Sequence, residues 1–251
     1  MMKVLFWSSR LETLPSCPTI LSQWAARRPK LAVPCIKTST FRGYSTQSKQ
    51  QSLEYPSSST SNHNDLASFL EYTKRTNLDR ESTIYQGTHY EYTVSNAFTA
   101  LGMALQRIGG VSDNGIDLLG TWNLPSSRTP IKVLIQCKAL ALSPIRPATV
   151  RELEGAFVGA PKGWRDGNVL GLLVSQKSAT KGVREALGRS RWPMGYVLCE
   201  KDGKVRQMLW NRKAEDVGMA GMGVGTKYVG GAQGSKEVVL TWKDEAVDFG
   251  S

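Results

Sequence analysis

Asp117, Gln136 and Lys138 are the residues of this chain whose types and spacing best suit chemistry. Asp117 lies in the short apolar run 116–120, and Gln136 and Lys138 close the run 131–138. The segment 123–130 between the runs carries two prolines and two serines, a pattern that predicts an antiparallel β-hairpin with a medium loop. Strand side chains alternate between faces, so Ile131, Val133, Ile135 and Cys137 point into a core while Gln136 and Lys138 share the opposite face. A carboxylate, an amide oxygen and an ammonium group then meet at one end of a sheet. That combination suits holding a divalent cation against a phosphate.

Phosphodiester hydrolysis needs a nucleophilic water, a counter-charge for the pentavalent transition state and help for the leaving oxygen. Mg2+ or Mn2+ in an all-oxygen shell supplies several of these, and Mg2+ keeps much of its own water. Asp117, the Gln136 amide oxygen or a neighbouring backbone carbonyl, and a further acid such as Glu91 would suffice as protein ligands. Lys138 would orient or deprotonate the water and stabilise charge building on phosphorus. The bland alternative is a surface hairpin whose Asp, Gln and Lys are merely solvated.

The elements that must position these groups can be read from periodicity. Residues 64–76 space Leu66, Phe69, Leu70 and Thr73 on one helical face, with Asn64 or Asp65 as cap. A longer helix is predicted over 86–107, with Tyr90, Val94, Ala97, Phe98, Leu101 and Leu105 at steps of three and four, stopped by Gly109-Gly110. Glu91 falls in its first turn, where the helix dipole alone favours an acid. After the hairpin, 147–160 has helical spacing with Pro147 at its start, and 169–175 is a continuous apolar run suited to a buried parallel strand. A helix over 179–190, a strand over 194–199 and late strands over 204–210 and 237–242 complete the order. Between those late strands, the glycine-rich stretch 218–234 reads as a mobile loop, since it lacks the adjacent Gly-Lys of a phosphate-binding loop. The order predicts an α/β fold: an α/β/α sandwich around a mixed β-sheet.

Composition limits what else the chain can be. No apolar run approaches the roughly 20 residues that span a bilayer. Of the net charge of +11, +6 belongs to residues 1–44, which carry seven Lys or Arg and the single acid Glu12. An arm that is basic, hydroxyl-rich and nearly free of acid has the composition of a mitochondrial transit peptide, and Phe41-Arg42-Gly43-Tyr44-Ser45 resembles a matrix-protease site cut at Tyr44/Ser45. The remaining +5 permits a nucleic-acid partner, with Lys181, Arg184 and Arg189 on one predicted helix as backbone contacts and Trp164 beside Arg165 as a stacking surface. Cys137 and Cys199 are far apart with no CxxC pair, which excludes a disulfide framework or a structural zinc site. His63 and His89 are the only histidines, too few for histidine-metal or Ser-His-Asp chemistry.

Taken in order, Gly87-x-x-Tyr90-Glu91, Asp113-x-Gly115-Ile116-Asp117, Gln136-Cys137-Lys138 and Val150-Arg151-Glu152-Leu153-x-Gly155 resemble the core of the Mrr-type restriction endonucleases, within the PD-(D/E)xK nuclease-like superfamily. The restriction-endonuclease-like fold is thereby implied for about residues 83–210. With its mitochondrial-looking arm, the chain is similar to the fungal mitochondrial family named for being required for respiratory growth. The resemblance implies Glu91 as the helix carboxylate, Asp117 as the metal ligand, Gln136 where many relatives have Glu, Lys138 as the catalytic lysine and Asp113 as an accessory acid. The Pro-Asp dipeptide of the wider superfamily is absent, since Ile116 precedes Asp117.

The domain plan is therefore a transit peptide (1–44), a flexible lead-in (45–62), an accessory helix (63–82), the nuclease-fold core (83–210) and a glycine-rich loop with a C-terminal strand (211–251). Two functions follow: a matrix-located Mg2+- or Mn2+-dependent nuclease acting on DNA in preference to RNA, or a nuclease-fold module that binds nucleic acid or protein without hydrolysis. Activity dependent on Asp117 and Lys138 separates them.

Overall fold

The computed structural model describes residues 53, 55–56, 62–109, 115–139, 144–165, 167–229 and 235–250. Asp113, and the presumed transit peptide with its Tyr44/Ser45 cut, lie outside the described residues. Six strands form the main sheet in sequential order: β1 (Met103–Arg107), β2 (Leu118–Trp122), β3 (Ile131–Lys138), β4 (Val169–Ser175), β5 (Met194–Cys199) and β6 (Val205–Trp210). β3, β4 and β5 run parallel, and β1, β2 and β6 pair antiparallel at the two sides. The hairpin of β2 and β3 forms as the two apolar runs predict, with Leu118 opposite Ile135 and Trp122 opposite Ile131.

Both faces of this sheet are covered, which makes the predicted α/β/α sandwich. On one face, α2 (Thr83–Thr99) lays Tyr90, Val94 and Phe98 over Leu118, Ile135 and Val174. The Tyr90 hydroxyl donates to the Cys199 carbonyl oxygen at 2.8 Å and ties the helix to β5. On the other face, α3 (Pro147–Gly159) and α4 (Lys181–Arg189) bury Leu153, Phe157, Val183 and Leu187 over Leu119, Leu134 and Leu173. Because β4 is covered on both faces, all seven of its residues are buried, and hence it reads as an unbroken apolar run. Gly171 leaves space there for Phe157, whose ring atoms would lie 2.7 Å from an added Cβ.

Three expectations are corrected. The helix predicted over 86–107 ends at Thr99: Gly102, at φ +79, turns the chain, and Met103–Arg107 pairs with β2 as an edge strand. Leu101 and Leu105 continue the three-four spacing by coincidence, because a short edge strand and a helix can both bury alternate positions of such a run. The glycine-rich stretch is no loop throughout. Met222–Val229 forms β7, which pairs residue for residue with β8 (Ser235–Trp242), and β9 (Glu245–Ala246) completes a small second sheet. Its Met222 and Leu240 close the α2-side core.

Trp164 is the third: it is fully buried and meets the Tyr55 ring edge-on at 5.3 Å, so it offers no stacking surface to a nucleic acid. His63, at the start of the predicted accessory-helix segment, packs too. Its Nδ1 lies 2.8 Å from the Tyr92 hydroxyl, among the rings of Phe69, Tyr72 and Tyr92. This cluster docks α1 (Leu66–Thr76), capped by Asp65, onto α2.

Candidate functional site

The backbone clamps Asp117 from both neighbours just before β2. Its N–H donates to the Ile135 carbonyl at 2.9 Å, and its carbonyl accepts from Ile108 and Gly109 at 2.9 and 3.0 Å. Its carboxylate Oδ2 accepts from the backbone N–H of Cys137 at 2.6 Å. A charge-assisted bond of this kind is worth about 1.5–3 kcal/mol and fixes the rotamer. Two glycines bring the surrounding groups close. A Cβ added at Gly109 would lie 3.3 Å from both Asp117 Oδ1 and Glu91 Oε2, so these oxygens are separated by at most twice that distance. At Gly115, with φ +77, an added Cβ would lie 3.0 Å from the Gln136 side-chain nitrogen.

Gln136 is buried, and its Oε1 is a buried side-chain oxygen with no hydrogen-bond partner among the described residues. A buried acceptor left so costs about 1–3 kcal/mol, which a cation or a bound water can recover. Lys138 leaves the same face of β3 and reaches α3, where its Nζ lies 3.2 Å from Glu152 Oε2. Both partners are substantially exposed, at 35 and 54 %.

Glu91 differs from its expected setting. Since α2 begins at Thr83, Glu91 sits two turns inside the helix, and the helix dipole does not account for an acid there. It forms a mostly buried ion pair with Arg107 of β1, whose guanidinium also lies 5.6 Å from the centre of the Tyr92 ring. The two carboxylates leave an electrostatic mark on their neighbour: burial first, then the charges of Asp117 and Glu91, push the Cys137 thiol well above its ordinary value. Cys137 is thus a structural thiol. Cys199 is likewise pushed up to about 12 by burial and nearby acids.

The fold therefore brings Glu91, Asp117, Gln136 and Lys138 to one end of the sheet, where β2 begins and β3 ends. The donors are hard oxygens, which fit Mg2+ or Mn2+, and the orphaned Gln136 oxygen is an acceptor that such an ion or a bound water would satisfy. Among the described residues no three His, Cys, Asp or Glu side chains gather as a metal cluster, so Asp117 and Gln136 carry that fit. The three basic residues of α4 belong to the helix that packs beside α3. Lys181, Arg184 and Arg189 are all exposed, but α4 leads away from the end of β4, which sets Arg189 about 12 Å along the axis from Lys181.

Sequence reasoning missed Arg107 and Glu152. Arg107 was hidden by its placement at the end of a helix; as the last residue of a strand beside Asp117 it becomes a natural partner for Glu91. Glu152 stood in the quoted motif with no role, and its pairing with Lys138 depends on how α3 crosses β3.

The molecule is thus an α/β protein with a mixed six-stranded sheet that carries an acid-amide-lysine group where β2 begins and the central parallel strand β3 ends. It belongs to the family described as Required for respiratory growth protein 7, whose model matches residues 82–129 and 125–226. A fission-yeast relative, "Uncharacterized protein C824.03c, mitochondrial" of Schizosaccharomyces pombe, is 33% identical over 156 residues, covering 61% of this chain and 61% of that protein. "Required for respiratory growth protein 7, mitochondrial" of Zygosaccharomyces rouxii is 27% identical, covering 52% of this chain and 70% of its own length. Among solved structures, the MspJI restriction endonuclease in complex with a 27-mer oligonucleotide is similar at 16% identity and a TM-score of 0.33, covering 52% of this chain and 28% of that one. No helix among the described residues is long and apolar enough to cross a membrane.

Proposed function

We propose that the chain is a mitochondrial, divalent-metal-dependent nuclease of the Mrr-like PD-(D/E)xK type, needed for respiratory growth. The observation that carries the reading is the orphaned, buried Oε1 of Gln136 on the strand that also clamps Asp117. The family name and the relatives' description as mitochondrial support the cellular part, and the basic, acid-poor arm supports the matrix.

In this reading Asp117 and Gln136 hold Mg2+ or Mn2+. When bound, the ion supplies Lewis-acid stabilisation of the phosphate and lowers the pKa of a water. The chain's own residues do the rest. The Cys137 N–H holds Asp117 Oδ2 in place, so the carboxylate does not reorganise during the reaction. Arg107 holds Glu91 aimed at the Gly109 turn, beside Asp117. Lys138 must leave Glu152 to reach an attacking water or a phosphate oxygen. An exposed pair of this kind is worth about 0–1 kcal/mol, so an arriving phosphate can displace it. An amide in place of a second carboxylate lowers metal affinity while retaining an oxygen ligand.

A second reading follows from the same pairs. With Lys138 on Glu152 and Glu91 on Arg107, the lysine and the helix acid are both paired at rest, which suits a nucleic-acid-binding module with little hydrolysis.

The test is cleavage of single-stranded and duplex DNA and of RNA by the full chain with Mg2+ or Mn2+, beside Asp117→Ala and Lys138→Ala. A loss of about 100-fold or more in both variants is expected. The Mg2+-dependent rise in melting temperature should also vanish in Asp117→Ala. Nucleic-acid binding with no Asp117-dependent cleavage selects the second reading.

A further inference from the structure

A cavity of about 270 Å³ opens between α2 and the carboxyl ends of β3, β4 and β5. It sits where open parallel sheets place their ligands, beyond the carboxyl ends of the strands. Its walls include Tyr90, the neighbour of Glu91 on α2, and Ala139, the neighbour of Lys138 after β3. Successive strand positions face opposite sides, so Lys138 serves the α3 side of the edge and Ala139 the α2 side. A strand of nucleic acid crossing this edge would touch the acid-amide-lysine group and then the mouth of the cavity.

The lining has the chemistry of a nucleotide site. Tyr85 and His89 stack on each other at 5.7 Å with their planes 22° apart, and buried Phe69 backs Tyr85 at 5.5 Å, so the aromatic wall is held rigidly. Arg80 and Lys201 bring two cations to the rim. Gln86 and Gln176 bring amides that can pair with the edge of a base. Gln86 Nε2 is oriented by the Glu81 carbonyl and carboxylate at 3.3 and 3.4 Å, and Glu81 offsets one of the two cations.

Size decides between ligands. The volume lies just under the range of about 300–1,000 Å³ typical of small-molecule pockets. It admits one planar heterocycle with its sugar, and a base inside a duplex would have to leave its stack to enter. We infer that this cavity binds a single unpaired nucleotide of the nucleic-acid strand whose backbone crosses the sheet edge at Asp117 and Lys138, so that the protein selects single strands or frayed ends over intact duplex. The inference rests on the reading above that the partner is a nucleic acid.

The experiment is fluorescence anisotropy of the full chain with a labelled 12-nucleotide single-stranded DNA, in EDTA so that no cleavage occurs. The same sequence as a blunt duplex and a free deoxynucleoside monophosphate as competitor are the other two arms. The single strand should bind about tenfold tighter than the duplex. Tyr85→Ala should remove that preference by about tenfold, the order expected for loss of one base–aromatic stack, while Tyr85→Phe retains it. Gln176→Ala and Lys201→Glu should each weaken single-strand binding several-fold, and they decide the matter if Tyr85→Ala does not fold.

Equal affinity for single strand and duplex overturns the inference, as does single-strand binding indifferent to all of these substitutions. Monophosphate binding without oligonucleotide binding assigns the cavity to a free nucleotide and overturns the strand. Pocket-dependent single-strand binding with no Asp117-dependent cleavage sustains the inference and removes the nuclease reading. Asp117-dependent cleavage with no strand preference does the reverse.

Discussion

The two ion pairs flanking the site are built from the same kinds of group and are set in opposite surroundings. On the α2 side, Arg107 and Glu91 are 11 and 13 % exposed; on the α3 side, Lys138 and Glu152 are 35 and 54 % exposed. A buried pair broken on one side leaves a charge with nowhere to go, whereas an exposed pair exchanges with water almost freely. The first pair is therefore a fixed part of the scaffold, and the second is a resting place from which Lys138 can depart. Chemistry needs both: a fixed frame around the metal ligands and a mobile cation.

The largest expected effect tests the rigid side. Arg107→Ala removes the cation paired with the mostly buried Glu91, and should cost about 3–5 kcal/mol in urea unfolding. Adding Glu91→Gln should recover most of that loss, and a cost under about 1 kcal/mol for the single variant would erase the contrast between the pairs. Next, Asp117→Ala should lower stability by about 1–3 kcal/mol because the Cys137 N–H loses its acceptor, while Asp117→Asn keeps an oxygen there and should cost less. Measured by thermal melting in EDTA, that ordering separates Asp117's structural role from any metal role.

At Gln136 the predicted signs are opposite. Gln136→Leu removes the orphaned oxygen and should be neutral or stabilising by up to about 1 kcal/mol in EDTA, with no Mg2+ response. Gln136→Glu adds a buried charge, so it should melt lower in EDTA and show a larger Mg2+-dependent rise. On the mobile side, Glu152→Ala should change stability by less than about 1 kcal/mol and leave cleavage equal or faster, since Lys138 no longer has to leave a partner.

The smallest effect is a pH dependence. Burial and the Arg107 charge hold His63 below its ordinary value of 6.5. The unfolded chain therefore takes up a proton first as pH falls. Stability is full above about 6.5 and declines below it, until the folded His63 also protonates. Thermal melting from pH 8 to 5.5 should show a slight loss that His63→Gln reduces.

Much of the scaffold was legible because its signals are local. The hairpin at Asp117 announced itself through two apolar runs and a proline-serine loop, and β4 through an unbroken apolar stretch. α3 began at Pro147 as its missing N–H allows. The failures came where two structures share one local signal. The run through Leu101 and Leu105 satisfied helical spacing, and only Gly102 at positive φ and pairing with β2 made it a strand. The glycines of 218–234 looked like loop residues, yet β8 supplied a partner for β7 in full register.

By itself, the order of residues determined that an acid, an amide and a lysine would stand at one end of a hairpin, since alternation along a strand and the length of a loop are properties of neighbours in the chain. Tertiary structure alone decided the company they keep. Arg107 reached Glu91, Glu152 reached Lys138, and the Gln136 oxygen was left without a partner among the described residues, because burial and charge pairing depend on which helix crosses which strand. The rings of Phe69, Tyr85 and His89 belong to the same category: two helices had to dock before they became one wall beside the sheet edge.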